Sequence, residues 1–290
     1  MNKFLSTMIV VLILAIAAAG GLYWWQLRKL GPTGKGVAMP ETTAPAPTAS
    51  AATPPAEPAI QFPIDAAGAG KPALPSLANS DNYLTGAVGG FVPRNDVLKF
   101  LQLDKLAIRV VATVDNLARP HAAPMLWPVT PTSGRFTTIE LGAASTTISA
   151  TNSQRYAPLV RFIESIDSAK AVALYVNAYP LFQQAYEELG YPRRYFNDRL
   201  VAVIDHLLAT PAAREGLGVK LTEVKGPIAS ARPWVRYEFS DATLESLSSG
   251  QKMMVRIGPD NQARLKVKLQ EFRRQITGTV MGKPAGAAKP

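Results

Sequence analysis

Two carboxylates and a histidine fall close together on one segment: Asp198, Asp205 and His206. Paired carboxylates carry out general acid–base work, and an imidazole titrates near neutral pH. Phe196, Leu200, Val203, Ile204, Leu207 and Leu208 recur around them at helical spacing, which predicts an amphipathic helix over residues 195–209. On that helix Asp198, Ala202 and Asp205 stand at i, i+4 and i+7, so both carboxylates share a face across a small residue. Their Cα atoms are then about 10.5 Å apart at the helical rise. Parallel side chains keep the carboxyls beyond the roughly 6.5–9.5 Å of an inverting glycosidase pair. These three residues are the catalytic candidates, with His206 as general base. The structural reading is preferred: Arg194, at i−4, pairs with Asp198, and His206 satisfies a neighbouring backbone group.

Cations are the second feature. Residues 251–290 hold nine bases against Asp260 and Glu271, so the net charge of +10 is concentrated at this end. Lys252 and Arg256, one helical turn apart, can grip an anion or pair with nearby carboxylates. Over 259–277, Leu265, Leu269, Phe272 and Ile276 form a stripe that packs on the core, with Arg264 and Lys268 beside it. Lys266, Arg273 and Arg274 then spread over the remaining surface, as a face for an anionic partner or as complements to the helix dipole. The binding candidates are Lys252, Arg256, Lys266, Arg273 and Arg274.

Other chemistry lacks its parts. The chain has no cysteine and two histidines, His121 and His206, which leaves no thiolate chemistry and makes a His-rich metal site improbable. The serines of 145–153 lack a nucleophile elbow, and Gly86, Gly89 and Gly90 are not spaced as a phosphate loop. Trp127 and Trp234 suit a sugar ring or a core edge. No metal or cofactor is expected.

The elements that position these residues fall into distinct materials. Residues 4–27 are uncharged and form a helix of roughly 36 Å, enough to cross a hydrocarbon core. Tyr23, Trp24 and Trp25 precede Arg28 and Lys29, as an aromatic belt meets headgroups. Residues 1–30 therefore read as a single-pass transmembrane anchor, against the rival of a signal peptide cut after Ala17-Ala18-Ala19. Residues 31–76, rich in proline, alanine and threonine with Phe62 as the only aromatic, read as a disordered linker. Residues 77–276 read as one mainly α globular domain with minor β, and 277–290 as a flexible basic tail.

Within the domain, Asn95-Asp96 opens a helix and Asp104 caps the next, which carries Leu106, Val110, Val111 and Val114. The Thr-rich runs 136–141 and 145–149 predict a hairpin, and 219–224 and 234–239 two further strands. Asn152 caps a helix. Residues 168–189 form a longer one bent at Pro180, and Asp241 caps another that ends at Gly258.

Several stretches resemble a bacterial family catalogued as domain of unknown function 3014. They include Val114-Asp115-Asn116-Leu117, the run from Pro180 through Gly190-Tyr191-Pro192, Phe196-Asn197-Asp198-Arg199-Leu200, and Gly250-Gln251-Lys252 followed by Arg256-Ile257-Gly258-Pro259. The resemblance spans about Phe91 to Ile276. It implies a membrane-tethered bacterial protein and brings no catalytic residues with it. The function expected is a non-enzymatic binding or scaffold domain on the inner membrane, C-terminal domain in the periplasm, for another envelope component, protein or anionic polymer. The alternative is an envelope hydrolase acting on a cell-wall glycan or peptide through Asp198, Asp205 and His206. Nucleic acid is not an expected partner.

Overall fold

The computed structural model describes residues 59–64, 73–142, 145–222 and 232–278, all within the unit Ala56–Pro290. The expected anchor, most of the expected linker and residues 279–290 lie outside them. Among the described residues no helix is long and apolar enough to cross a membrane.

Helices dominate the first half. α1 spans Asp81–Gly89, α2 Arg94–Phe100 and α3 Leu106–Leu117. Asp104 does not cap α3. Lys105 takes the N-cap position with a left-handed φ of 51°, which leaves Asp104 outside the cap, and it pairs with Arg109 at 2.7 Å. The N–H groups of Lys105 and Leu106 are accepted instead by Asp81 of α1, at 2.8 and 3.3 Å. The Thr-rich runs form the expected hairpin of β1, Thr138–Glu140, and β2, Thr146–Ile148.

α4 spans Thr151–Ser165. Asn152 is its second residue rather than its cap. The buried amide accepts from Thr137 N–H and donates to the Thr137 and Ser149 carbonyls, tying α4 to the chain leading into β1. The expected helix over 168–189 is two, α5 at Ser168–Asn177 and α6 at Tyr179–Glu188, parted at Ala178. Pro180 lacks the N–H that would continue the ladder, but in the first turn of α6 that loss costs nothing. Asp167 caps α5 by accepting from the Ala169 and Lys170 N–H groups.

α7, Phe196–Leu208, is the expected amphipathic helix. β3, Gly218–Leu221, and β4, Tyr237–Phe239, follow; Trp234 lies before β4 in the 3-10 turn Pro233–Val235, not in a strand. The expected helix from Asp241 to Gly258 is α8, Ala242–Glu245, and α9, Ser249–Arg256, separated because Ser248 forms a capping box with Gln251. Gly258, at φ +91°, turns the chain into α10, Pro259–Gly278.

The hairpin and the later strands join one antiparallel sheet in the order β1-β2-β3-β4, with α4 to α7 inserted between β2 and β3. Val219 and Phe239 of the sheet pack on Val255 of α9. The larger core gathers Leu84, Val111, Phe162, Phe182 and Phe196 from α1, α3, α4, α6 and α7. The stripe of α10 packs on α5, α7 and α9 as its spacing predicts. The described chain is mainly helical with a small four-stranded sheet.

Candidate functional site

The start of α7 is built by its neighbours. Gly190, at φ +112°, ends α6, and the chain returns through Tyr191-Pro192 to Tyr195. Gln183 of α6 then acts as a cap from outside, its Oε1 accepting from Phe196 N–H at 2.8 Å and its Nε2 donating to the Arg194 carbonyl at 2.9 Å. The Tyr179 hydroxyl accepts from Asn197 N–H at 3.3 Å and donates to Gln183 Oε1. Burial holds the Tyr175 and Tyr179 hydroxyls protonated, well above the ordinary tyrosine range.

Three side chains at this helix start hold a piece of the chain that bends at Gln61 and Phe62, Gln61-Phe62-Pro63-Ile64. Asp198 accepts from Gln61 N–H at 3.0 Å and from Phe62 N–H at 2.8 Å. Asn197 Nδ2 donates to the Phe62 carbonyl at 2.8 Å, while its Oδ1 accepts from the Tyr175 hydroxyl at 3.0 Å. The Tyr195 hydroxyl accepts from Ile64 N–H at 2.6 Å. Phe62 packs into the apolar cluster of α5, α7 and α10, and Ile64 into the main core. These residues fall inside the expected linker, so that expectation is corrected here: a composition too poor to fold alone still supplies apolar anchors to a domain that offers acceptors.

The catalytic candidates are thus not brought together. Asp198 holds this segment and not Arg194. Asp205 forms a two-pronged ion pair with Arg273 of α10, whose pKa that hydrogen bond raises. His206 Nε2 lies 2.8 Å from the Ser248 hydroxyl, a side chain where a backbone partner was expected. Among the described residues no group of three or more acidic or histidine side chains is arranged to hold a metal ion.

The cationic candidates also engage internal groups. Lys252 pairs with Glu245 at 2.7 Å. Arg256 donates to the Tyr237 carbonyl at 2.7 Å and lies over the Phe239 ring, and burial lowers its pKa. Lys266 donates to the Thr210 carbonyl and Arg273 to Asp205. Arg274 is exposed. Beside the stripe, Arg264 pairs with Glu164, and buried Lys268 donates to the Ile166 carbonyl. Trp234 has one face covered by Arg135, its guanidinium 4.1 Å from the ring centre.

The sequence reasoning missed Asp115. Its side chain, 4% exposed, accepts from Arg199 Nε at 3.1 Å, from the Tyr191 hydroxyl at 3.2 Å and from Arg119. Arg199 Nη2 also donates to the Asp115 carbonyl at 2.9 Å, and the Asp115 charge raises the Arg119 pKa. Next to this node the Ser249 hydroxyl donates to the Asn116 carbonyl, and a Cβ on Gly250 would lie 2.8 Å from the Leu117 carbonyl oxygen. The i, i+4 spacing of Asp115 and Arg119 was a legible signal; Arg199 was not.

A mainly helical domain with a small antiparallel sheet, carrying a peptide-holding edge and a buried ionic node, is the class that this geometry defines. The chain belongs to the family described as "Protein of unknown function (DUF3014)", whose model matches residues 106–273. That match covers Asp115, Tyr191, Asp198, Arg199 and Gly250. No curated protein and no solved structure matches the chain.

Proposed function

We propose that this protein is a non-enzymatic binding domain of the bacterial envelope, tethered to the inner membrane through residues 4–27 with its C-terminal domain in the periplasm. The uncharged run, the aromatic residues before Arg28 and Lys29, and the Pro/Ala-rich stretch after them support the tether. One observation carries the binding reading: Asp198, Asp205 and His206 face three different partners, and the edge that holds Asp198 already grips a short peptide segment. In-cell crosslinking of the full chain, followed by identification of its neighbours, is the test. A recurrent envelope neighbour is expected. A glycan- or peptide-cleaving activity that Asp198→Asn or His206→Gln removes, with the fold intact, would overturn the reading in favour of a hydrolase.

A further inference from the structure

We infer that the 195–198 edge of α7 is a docking site for a peptide that bends at a bulky apolar residue followed by proline, occupied here by the chain's own residues 61–64 and open to such a segment from a partner protein. This rests on the binding-domain reading and names its site and ligand.

Every hydrogen bond from the edge reaches backbone of the segment. Asp198 takes the N–H groups of Gln61 and Phe62, Asn197 gives to the Phe62 carbonyl, and Tyr195 takes the N–H of Ile64. Pro63 has no N–H, and it falls at the one position where the edge supplies no acceptor. Each backbone donor of the tetrapeptide is therefore satisfied, a match that reads a backbone bent at Gln61 and Phe62, where two consecutive N–H groups face one carboxylate, and that tolerates proline only in third place. Side-chain selection comes from the apolar cluster under Phe62.

That cluster has space left. A cavity of about 230 Å³ opens among Val172, Tyr175, Ile204, Phe272 and Ile276, residues that Phe62 joins in one cluster. Apolar cavities of about 150 Å³ accept a benzene ring. Phe62 does not line this space, which the resident segment leaves open. The resident segment competes because it is covalently linked, so its contact with the edge is intramolecular. Foreign ligands must exceed that advantage or meet a chain whose own segment has been pulled away.

The test uses the full chain in detergent micelles and a fluorescent synthetic peptide, Ala-Ile-Gln-Phe-Pro-Ile-Asp. The double variant Phe62→Ala, Ile64→Ala, which vacates the site, should bind it at least tenfold more tightly than the wild-type chain. A peptide N-methylated on the phenylalanine nitrogen, or with alanine for phenylalanine, should lose at least tenfold. In the wild-type chain, excess peptide should speed proteolytic cleavage within residues 59–65, a readout that stands even if the double variant does not fold. No binding to a folded double variant, equal binding of the N-methyl peptide, or no change in cleavage would each overturn the site. A wild-type dimer lost in the double variant would replace the foreign peptide with a second copy. Peptide failure alongside a crosslinked envelope neighbour removes this site but leaves the binding domain; peptide binding without any neighbour does the reverse.

Discussion

Asp115 and Asp198 are two carboxylates in the same helical domain, and they hold different kinds of partner. Asp115 is buried and faces the guanidiniums of Arg119 and Arg199, so it locks α3 to the start of α7 through charge. Asp198, in the first turn of α7, faces the N–H groups of a segment more than 130 residues earlier in the chain. A helix N-terminus favours its charge, and nothing ionic holds the segment. Ordering four residues costs about 4–8 kcal/mol of backbone entropy. Half-burial of Phe62 and Ile64, with their hydrogen bonds, returns a similar amount. The two terms nearly cancel. The comparison teaches that the node fixes the fold, while the edge makes a contact that can exchange.

The sharpest way to break this contrast is Asp115→Asn. It leaves two guanidiniums facing a neutral amide, and should lower unfolding free energy by about 3 kcal/mol, the scale of a broken buried pair. Urea titration reads it directly, and a loss under 1 kcal/mol would mean that the node is ornamental.

Gly250→Ala probes the same rigid side. The new Cβ would lie 2.7 Å from Leu207 Cδ2 and 2.8 Å from the Leu117 carbonyl oxygen, so α9 must move away from α3 and α7. Overpacking of this kind costs about 1–3 kcal/mol. Thermal melting that is unchanged would show that the helices yield freely.

Phe62→Ala tests the exchangeable side and should cost only about 1 kcal/mol, because the side chain is half-buried and the segment can simply detach. Helical circular dichroism should be unchanged while hydrogen exchange at the Phe62 and Ile64 amides accelerates. A cooperative loss as large as that of Asp115→Asn would erase the distinction between the regions.

The smallest effect concerns pH. Burial raises the Glu245 pKa, but the hydrogen bonds from Lys252 and from Phe239 N–H outweigh it and leave the carboxyl below its ordinary value of 4.5. A depressed folded pKa contributes stability above the unfolded value, lost as pH falls through the folded one. Glu245→Gln should therefore make stability fall less steeply below about pH 4.5. An unchanged acid limb in urea titrations at pH 3 to 5 would show that other carboxylates carry it.

Local patterns were legible because local physics sets them. The stripe Leu265, Leu269, Phe272 and Ile276 needed only helical period, and the Thr-rich hairpin only alternation and a turn. Caps were less so. Asp241 holds the cap of α8 as expected, but Asp104 and Asn152 do not cap their helices, because a left-handed Lys105 and the chain leading into β1 at Thr137 claimed the geometry, and the cap that Asp167 gives α5 was not foreseen. Among the candidate site residues, sequence placed Asp198, Asp205 and His206 on one helix correctly. It could not assign their partners, which lie on the 61–64 segment, on α10 and at the cap of α9.

By itself, then, the sequence determined the class of the described domain, the apolar faces of helices such as α7 and α10, and its family. Periodicity and composition act over a few residues and need no distant partner. Only the tertiary structure decided what the charges do. Asp115 meets Arg199 across 84 residues, and Asp198 meets Phe62 across 136. A carboxylate's role follows from which donors the packed helices carry to it, and that choice is made by the shape of the core rather than by any spacing along the chain.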